Sequence, residues 1–343
     1  MTVDNAPFMT LPNKSCDSGE AKILRAAWGV TTILAAAVFE LLAGIAVQRT
    51  TTGDNAYDAP IVIVYANHAT TGICCLVAGL ISLRLKGRGV RRTMLTAGFR
   101  SCSSAAGTAA WMSVVFYGAN CLWALSLTLT SLSVFTSISQ SYCVIVFMLS
   151  AYVLRERVTV GKCMAVVVCL CGVASIAVGG GNTADASSHW AGVVAALAQT
   201  MTVSVYQVLW GYYLGNADGT VVLVFLGIQC TLEILVCAPS LPIFAALGWE
   251  SLVVPTASQA ASIAVLIFAS ILNNFTTMLA VSASSPLLVS VGKLTEIPMS
   301  ALFDLAVHGT APTSYGALGM LLVIAGFLIL LSAKAAECAP REP

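Results

Sequence analysis

Charge is what this sequence has least of. Only 9% of its 343 residues are Asp, Glu, Lys or Arg, against about 25% in a soluble domain, which excludes a water-exposed globular surface. Histidine is scarcer still. The three, His68, His189 and His308, are scattered, and no HExxH, GxSxG or metal-spaced pair occurs, so nothing points to a metal site, a cofactor or a catalytic nucleophile with its base. We therefore expect no enzyme and no cofactor. Paired CxxC spacings are missing too, and the 12 cysteines lie mostly inside apolar runs, where Cys behaves as a small hydrophobe; no disulfide framework is implied. Residues 1–22 lack the order of a cleaved signal peptide, contain Pro7 and Pro12, and read as a disordered cytosolic tail.

What fills the chain instead is apolar sequence, 58% of all residues. A bilayer-spanning helix needs roughly 20 mostly apolar residues, and on that ruler ten candidates appear: Arg25–Val47, Ile61–Leu83, Ala105–Leu127, Ser131–Leu154, Val160–Val178, Trp190–Leu214, Val221–Ile243, Ser258–Val281, Ser285–Val307 and Ser314–Ser332. The predicted fold is all-α and membrane-embedded. Placing both termini in the cytosol puts every one of the 16 basic residues there except Arg49 and Lys293, as the positive-inside rule requires. That rule accounts for the basic loop Arg84–Ser104 without nucleic acid.

An internal repeat is visible. TSLSVFTSISQSYCVIVFMLSAYVLRERVTVGKCMAVVVCLCG, from Thr130 to Gly172, aligns at a nearly constant offset with SASSPLLVSVGKLTEIPMSALFDLAVHGTAPTSYGALGMLLVIAG, from Ser282 to Gly326. Each copy then holds five spans, 23–179 and 186–333, with 334–343 as a second cytosolic tail. An odd number of spans per copy forces opposite orientations, the inverted-topology repeat of many secondary transporters.

The stretch from Ser285 to Val307 carries three charges in bilayer-compatible sequence. On a helix turning about 100° per residue, Lys293, Glu296, Ser300 and Asp304 fall on one stripe. Charge near mid-membrane must face protein or a water-filled cavity. Lys293 can hold a phosphate or carboxylate as a point charge, or Lys293 and Glu296 can neutralise each other as a structural pair. In the latter case Glu40 and Glu233 become the candidates for proton coupling. Pro298 removes a backbone donor and loosens the turn before it. Other polar positions at helical spacing include Ser137 and Gln140 in the fourth span, Gln199 and Tyr206 in the sixth, and Asn273 and Asn274 in the eighth. Together with Lys293, Glu296 and Ser300 they form the expected substrate site. His68 either lines the cavity or is merely hydrogen-bonded. Gly319 and Gly326 share a face suited to close helix packing, and a homodimer contact there is possible.

Ten spans in two halves, ALSLTLTSLSVFTSISQSYCVIVFMLSAYVLRERVTVGK in the first and SSPLLVSVGKLTEIPMSAL in the second, resemble the drug/metabolite transporter superfamily, also called EamA-like. The wording SPLLVSVG and IPMSALFD looks closest to the F-type branch of the nucleotide-sugar-transporter-like solute carriers. The family pattern has a turn of the kind seen at Arg155, Glu156 and Arg157; the second half departs from it with His308, Gly309 and Thr310. The resemblance implies two halves alternating access to a midplane cavity. The predicted function is secondary transport of a small polar, anionic metabolite of the nucleotide-sugar or phosphorylated type. The alternative is a proton-coupled exporter of amines, amino acids or drugs.

Overall fold

The computed structural model describes residues 19–51, 57, 59–129, 135, 138–179, 190–248, 253–308 and 313–338. Among the described residues there is no strand. In chain order the helices are α1 (Gly19–Thr51), α2 (Pro60–Leu85), α3 (Val90–Thr96), α4 (Cys102–Leu129), α5 (Tyr142–Val153), α6 (Val160–Gly179), α7 (Trp190–Leu214), α8 (Gly219–Cys237), α9 (Ser240–Ala246), α10 (Ala257–Ala283), α11 (Pro286–Lys293), α12 (Glu296–His308) and α13 (Ser314–Cys338). Helices suit so apolar a chain because each satisfies its own backbone N–H and C=O groups where no water reaches them. The outer faces are apolar as well: Ile73, Val77, Val167, Phe268 and Leu321 all lie exposed. This is the surface of an integral multi-pass membrane protein.

Among the described residues, seven helices are long and apolar enough to cross a bilayer: Ala27–Ala46 within α1, Pro60–Leu85, Cys102–Ser126 within α4, Trp190–Leu214, Gly219–Cys237, Ala257–Ala283 and Ser314–Glu337 within α13. They match seven of the ten expected spans. The fourth and fifth give apolar helices shorter than a span, Tyr142–Val153 and Val160–Ile176, with residues 130–134 and 136–137 of the fourth region lying outside the described ones. The expected tail 1–22 overlaps α1, which begins at Gly19, and residues 1–18 and 339–343 lie outside the described ones.

The ninth expected span is corrected: it is two helices rather than one. Pro298 has no N–H to offer the carbonyl of Leu294, and its ring crowds that carbonyl. The carbonyl instead accepts from Ile297 N at 3.1 Å, while Leu294 N and Thr295 N close tight turns onto Val291 O (3.2 Å) and Gly292 O (3.1 Å). The Thr295 hydroxyl also donates to Gly292 O at 2.6 Å. The chain therefore pauses at Leu294 and Thr295 and restarts at Glu296.

Glycine seams set how the helices meet. A Cβ on Gly72 would stand 2.9 Å from Thr231 N, and one on Gly227 would stand 2.5 Å from Leu76 N, so α2 and α8 touch backbone to backbone. Likewise Gly172 on α6 abuts Gly319 O, and Gly326 on α13 abuts Ala165 O. The two glycines read from the sequence as a packing face, Gly319 and Gly326, are thus turned toward α6 of the same chain. Both seams are reciprocal. The displacement along the chain that carries Gly72 onto Gly227 also carries Leu76 onto Thr231, and the one that carries Ala165 onto Gly319 also carries Gly172 onto Gly326. The remaining major contacts join α1 to α10 and α4 to α7.

Candidate functional site

The interruption between α11 and α12 places charge where a continuous helix could not support it. Ser285 caps α11, its hydroxyl accepting from Leu288 N at 3.4 Å, with Pro286 as the first helical residue. Lys293 lies eight residues on, about 12 Å along the axis at 1.5 Å per residue. It closes α11, and Glu296 opens α12. A helix end is electronegative at its C-terminus and electropositive at its N-terminus. The cation and the anion thus each sit at the end that stabilises them.

The ammonium of Lys293 is held by the carboxylate of Glu40 on α1. This corrects the pairing of Lys293 with Glu296 weighed from the sequence: the break turns Lys293 toward α1, which packs against both α11 and α12. Close approach is possible because position 292 is glycine. A Cβ there would stand 2.2 Å from Ile33 on α1 and 3.1 Å from the Phe327 ring on α13. Glu296 remains half-buried, within electrostatic reach of both Glu40 and Lys293 and with no ion pair among the described residues. Tyr142 on α5 lies within electrostatic reach of the same two acids and donates to Ser290 O on α11 at 3.1 Å. Two carboxylates, one ammonium and one phenol therefore meet around the break. Of these, Lys293, Glu296 and Glu40 were singled out from the sequence; Tyr142 was not.

The other expected residues divide. Gln140 lies in the turn entering α5, and its carbonyl accepts from Cys143 Sγ at 3.5 Å. The Ser300 hydroxyl is turned back onto Ile297 O at 3.0 Å, so it is spent on its own helix. Asn273 accepts from the Thr277 hydroxyl at 3.1 Å, and Asn274 is half-buried on α10. Gln199 is half-buried on α7 and accepts a 3.4 Å bond from the Thr200 hydroxyl. Ser137 and the side chain of Asp304 lie outside the described residues.

Tyr206 and Glu233 belong to a second polar cluster. Glu233 on α8 pairs with His68 Nδ1 on α2, and both are almost completely buried. The imidazole stacks on Phe116 of α4, with centroids 4.7 Å apart, and the opposite side of the stack is Tyr206, 4.6 Å from Phe116. Tyr206 OH is bonded to Gln229, one turn before Glu233, at 3.0 Å. A continuous buried stack thus joins α2, α4, α7 and α8. Tyr206 is 1% exposed, so its ring packs the core rather than lining an open cavity. Among the described residues His68 Nε2 and Glu233 Oε2 have no hydrogen-bond partner, an unusual condition for buried polar atoms. The pairing had a sequence signal: a lone base and a lone acid in separate apolar spans each need a partner.

No family model matches the chain. An uncharacterized transporter of Schizosaccharomyces pombe is 27% identical over 224 residues, 63% of this chain and 65% of that relative. The chain spans less than two thirds of the relative's own length. A solved structure, described only as the crystal structure of a protein, superposes with a TM-score of 0.66 at 17% identity, covering 91% of this chain and 99% of that one. At that identity the likeness concerns the fold.

Proposed function

We propose that this protein is a secondary transporter that carries a small polar, anionic metabolite, of the nucleotide-sugar or phosphorylated type, by alternating access around the α11–α12 break. The observation that carries the reading is the interrupted helix with Lys293 at its break, the arrangement by which transporters place ion and substrate sites near the bilayer midplane. Similarity to a named transporter supports it. So do the reciprocal glycine seams, which are what two inverted halves related by a two-fold axis produce. The major contacts behave alike: exchanging the halves turns the α1–α10 pair into the α7–α4 pair.

Glu40 gives the site its mechanism. It is a resident anion that pairs with Lys293. An incoming phosphate or carboxylate takes its place, and the ammonium is never left unpaired in a medium where that is costly. Displacement frees Glu40, and with it α1, from α11. Substrate binding is thereby linked to the relation between the two halves, since α1 belongs to one and α11 to the other. Glu296 supplies the negative edge that disfavours a second anion.

A second reading, a proton-coupled exporter, rests on the His68–Glu233 pair. The contact joins an imidazole and a carboxylate, two side chains that can carry a proton, and stacks through Phe116 onto Tyr206. The two readings separate in one experiment. The purified chain is melted in detergent with nucleotide sugars, free nucleotides, sugar phosphates, amino acids or amines, as parent and as Lys293→Ala. A ligand bound to the native state raises the melting temperature by mass action. Stabilisation by a phosphorylated compound that vanishes in Lys293→Ala supports the first reading; stabilisation by amines alone, undiminished in the variant, overturns it.

A further inference from the structure

At the membrane face where α2 ends, the chain turns back over its own last turn. Gly87 has φ +61°, a left-handed conformation open to glycine at little cost. Its N–H donates to Arg84 O at 3.1 Å, and the next N–H, that of Arg88, donates to Leu83 O at 2.9 Å, the paired closure of a Schellman turn. Arg88 is therefore folded back beside the end of the helix. It shares with Arg84 a cavity of about 380 Å³ whose wall includes Val77, Leu80 and Ile81. Those three side chains are exposed on a membrane-spanning helix, at 50%, 41% and 54%. The cavity is thus an apolar groove with Arg84 and Arg88 at one end. Asp218 bridges to Lys86 at 3.4 Å and to Arg88 at 3.6 Å. Arg84 has no ion pair among the described residues, and positive charge stays in excess at the rim.

We propose that this groove is a binding site for one anionic glycerophospholipid, its phosphate between Arg84 and Arg88 and an acyl chain along Val77, Leu80 and Ile81. The dimensions agree, since Val77 lies seven residues from Arg84, about 10 Å down the helix and within reach of the upper part of an acyl chain. The charge selects the headgroup. Two guanidinium forks match phosphate oxygens, and a headgroup that adds its own ammonium brings like charge to the rim. Basic pockets beside membrane helices recognise anionic lipids on these terms.

Native mass spectrometry of the full chain, offered equal phosphatidylglycerol and phosphatidylcholine, tests the proposal. The parent protein retains phosphatidylglycerol preferentially. Arg84→Gln and Arg88→Gln each reduce that preference roughly five-fold, the equivalent of about 1 kcal/mol per basic residue, and together they abolish it. Arg91→Gln with Arg92→Gln, on exposed α3 positions outside the groove, leaves it within two-fold. Val77→Trp, which keeps both arginines but fills the wall, lowers retention of both lipids. Unchanged melting in phosphatidylcholine discs shows that the variants are folded. Preference that survives the Arg84/Arg88 double change, equal loss on changing Arg91 and Arg92, or full displacement by glycerol phosphate without acyl chains would each overturn the site.

Discussion

In the proposed mechanism Glu40 competes with substrate for Lys293, which makes a prediction with two opposite signs. Glu40→Gln removes the competitor's charge while keeping its shape. Because a hydrogen bond to a charged group is worth about 1.5–3 kcal/mol net, an anionic ligand should bind roughly ten-fold tighter or more in Glu40→Gln. Turnover should fall, since nothing re-occupies Lys293 after release. Titrating melting temperature against ligand and timing flux in vesicles give the two readouts; weaker binding would refute the competition. The His68–Glu233 pair is a separate residue-scale case. Removing one partner leaves a buried polar group uncompensated, at a cost of about 3–5 kcal/mol. His68→Leu and Glu233→Leu singly should therefore lower the melting point far more than the double variant does. Additive losses would show that the two do not act as a pair. Lys293 and Glu296 were legible in the sequence because charge in apolar sequence stands out. The pairing of Lys293 with Glu40 was not: Glu40 lies 253 positions before Lys293 along the chain, and nothing local ties the two together.

Among the helices, the α11–α12 break has the clearest local cause. Pro298→Ala returns an N–H to the carbonyl of Leu294 and allows one helix to run from Pro286 onward. Proline inside a helix costs about 3 kcal/mol, so the variant should melt at the same or a higher temperature, yet transport substrate at a small fraction of the parent rate. Lower stability with normal flux would show that the break is neither strained nor used. Pro298 announced a loosened turn in the sequence, but a complete interruption depends also on Gly292, where α1 and α13 come too near to admit a side chain. That is a tertiary fact. The long helices α2, α8 and α10 were legible from their apolar length, and the capping box at Thr256 and Gln259 fixes the start of α10. The short α3 and α9 were not foreseen, being seven residues each and too short for any span criterion.

At the scale of the whole molecule, the proposed transport cycle needs two halves that meet along the glycine seams, with the charged break between them. The repeat read from the sequence aligned Thr130–Gly172 with Ser282–Gly326, and the α6–α13 seam lies largely within those copies. The α2–α8 seam lies outside both, and its reciprocity came only with the structure, because its glycines are surrounded by dissimilar residues. In the proposed cycle, rocking of one half against the other moves the site while the seams act as bearings. The direct test of this account is counterflow. Proteoliposomes are loaded with an unlabelled phosphorylated compound that stabilises the protein, and uptake of the labelled form is followed. Label should accumulate in a way that depends on trapped unlabelled compound and disappears in Lys293→Ala. Binding without exchange, or exchange at the parent rate in Lys293→Ala, would contradict it.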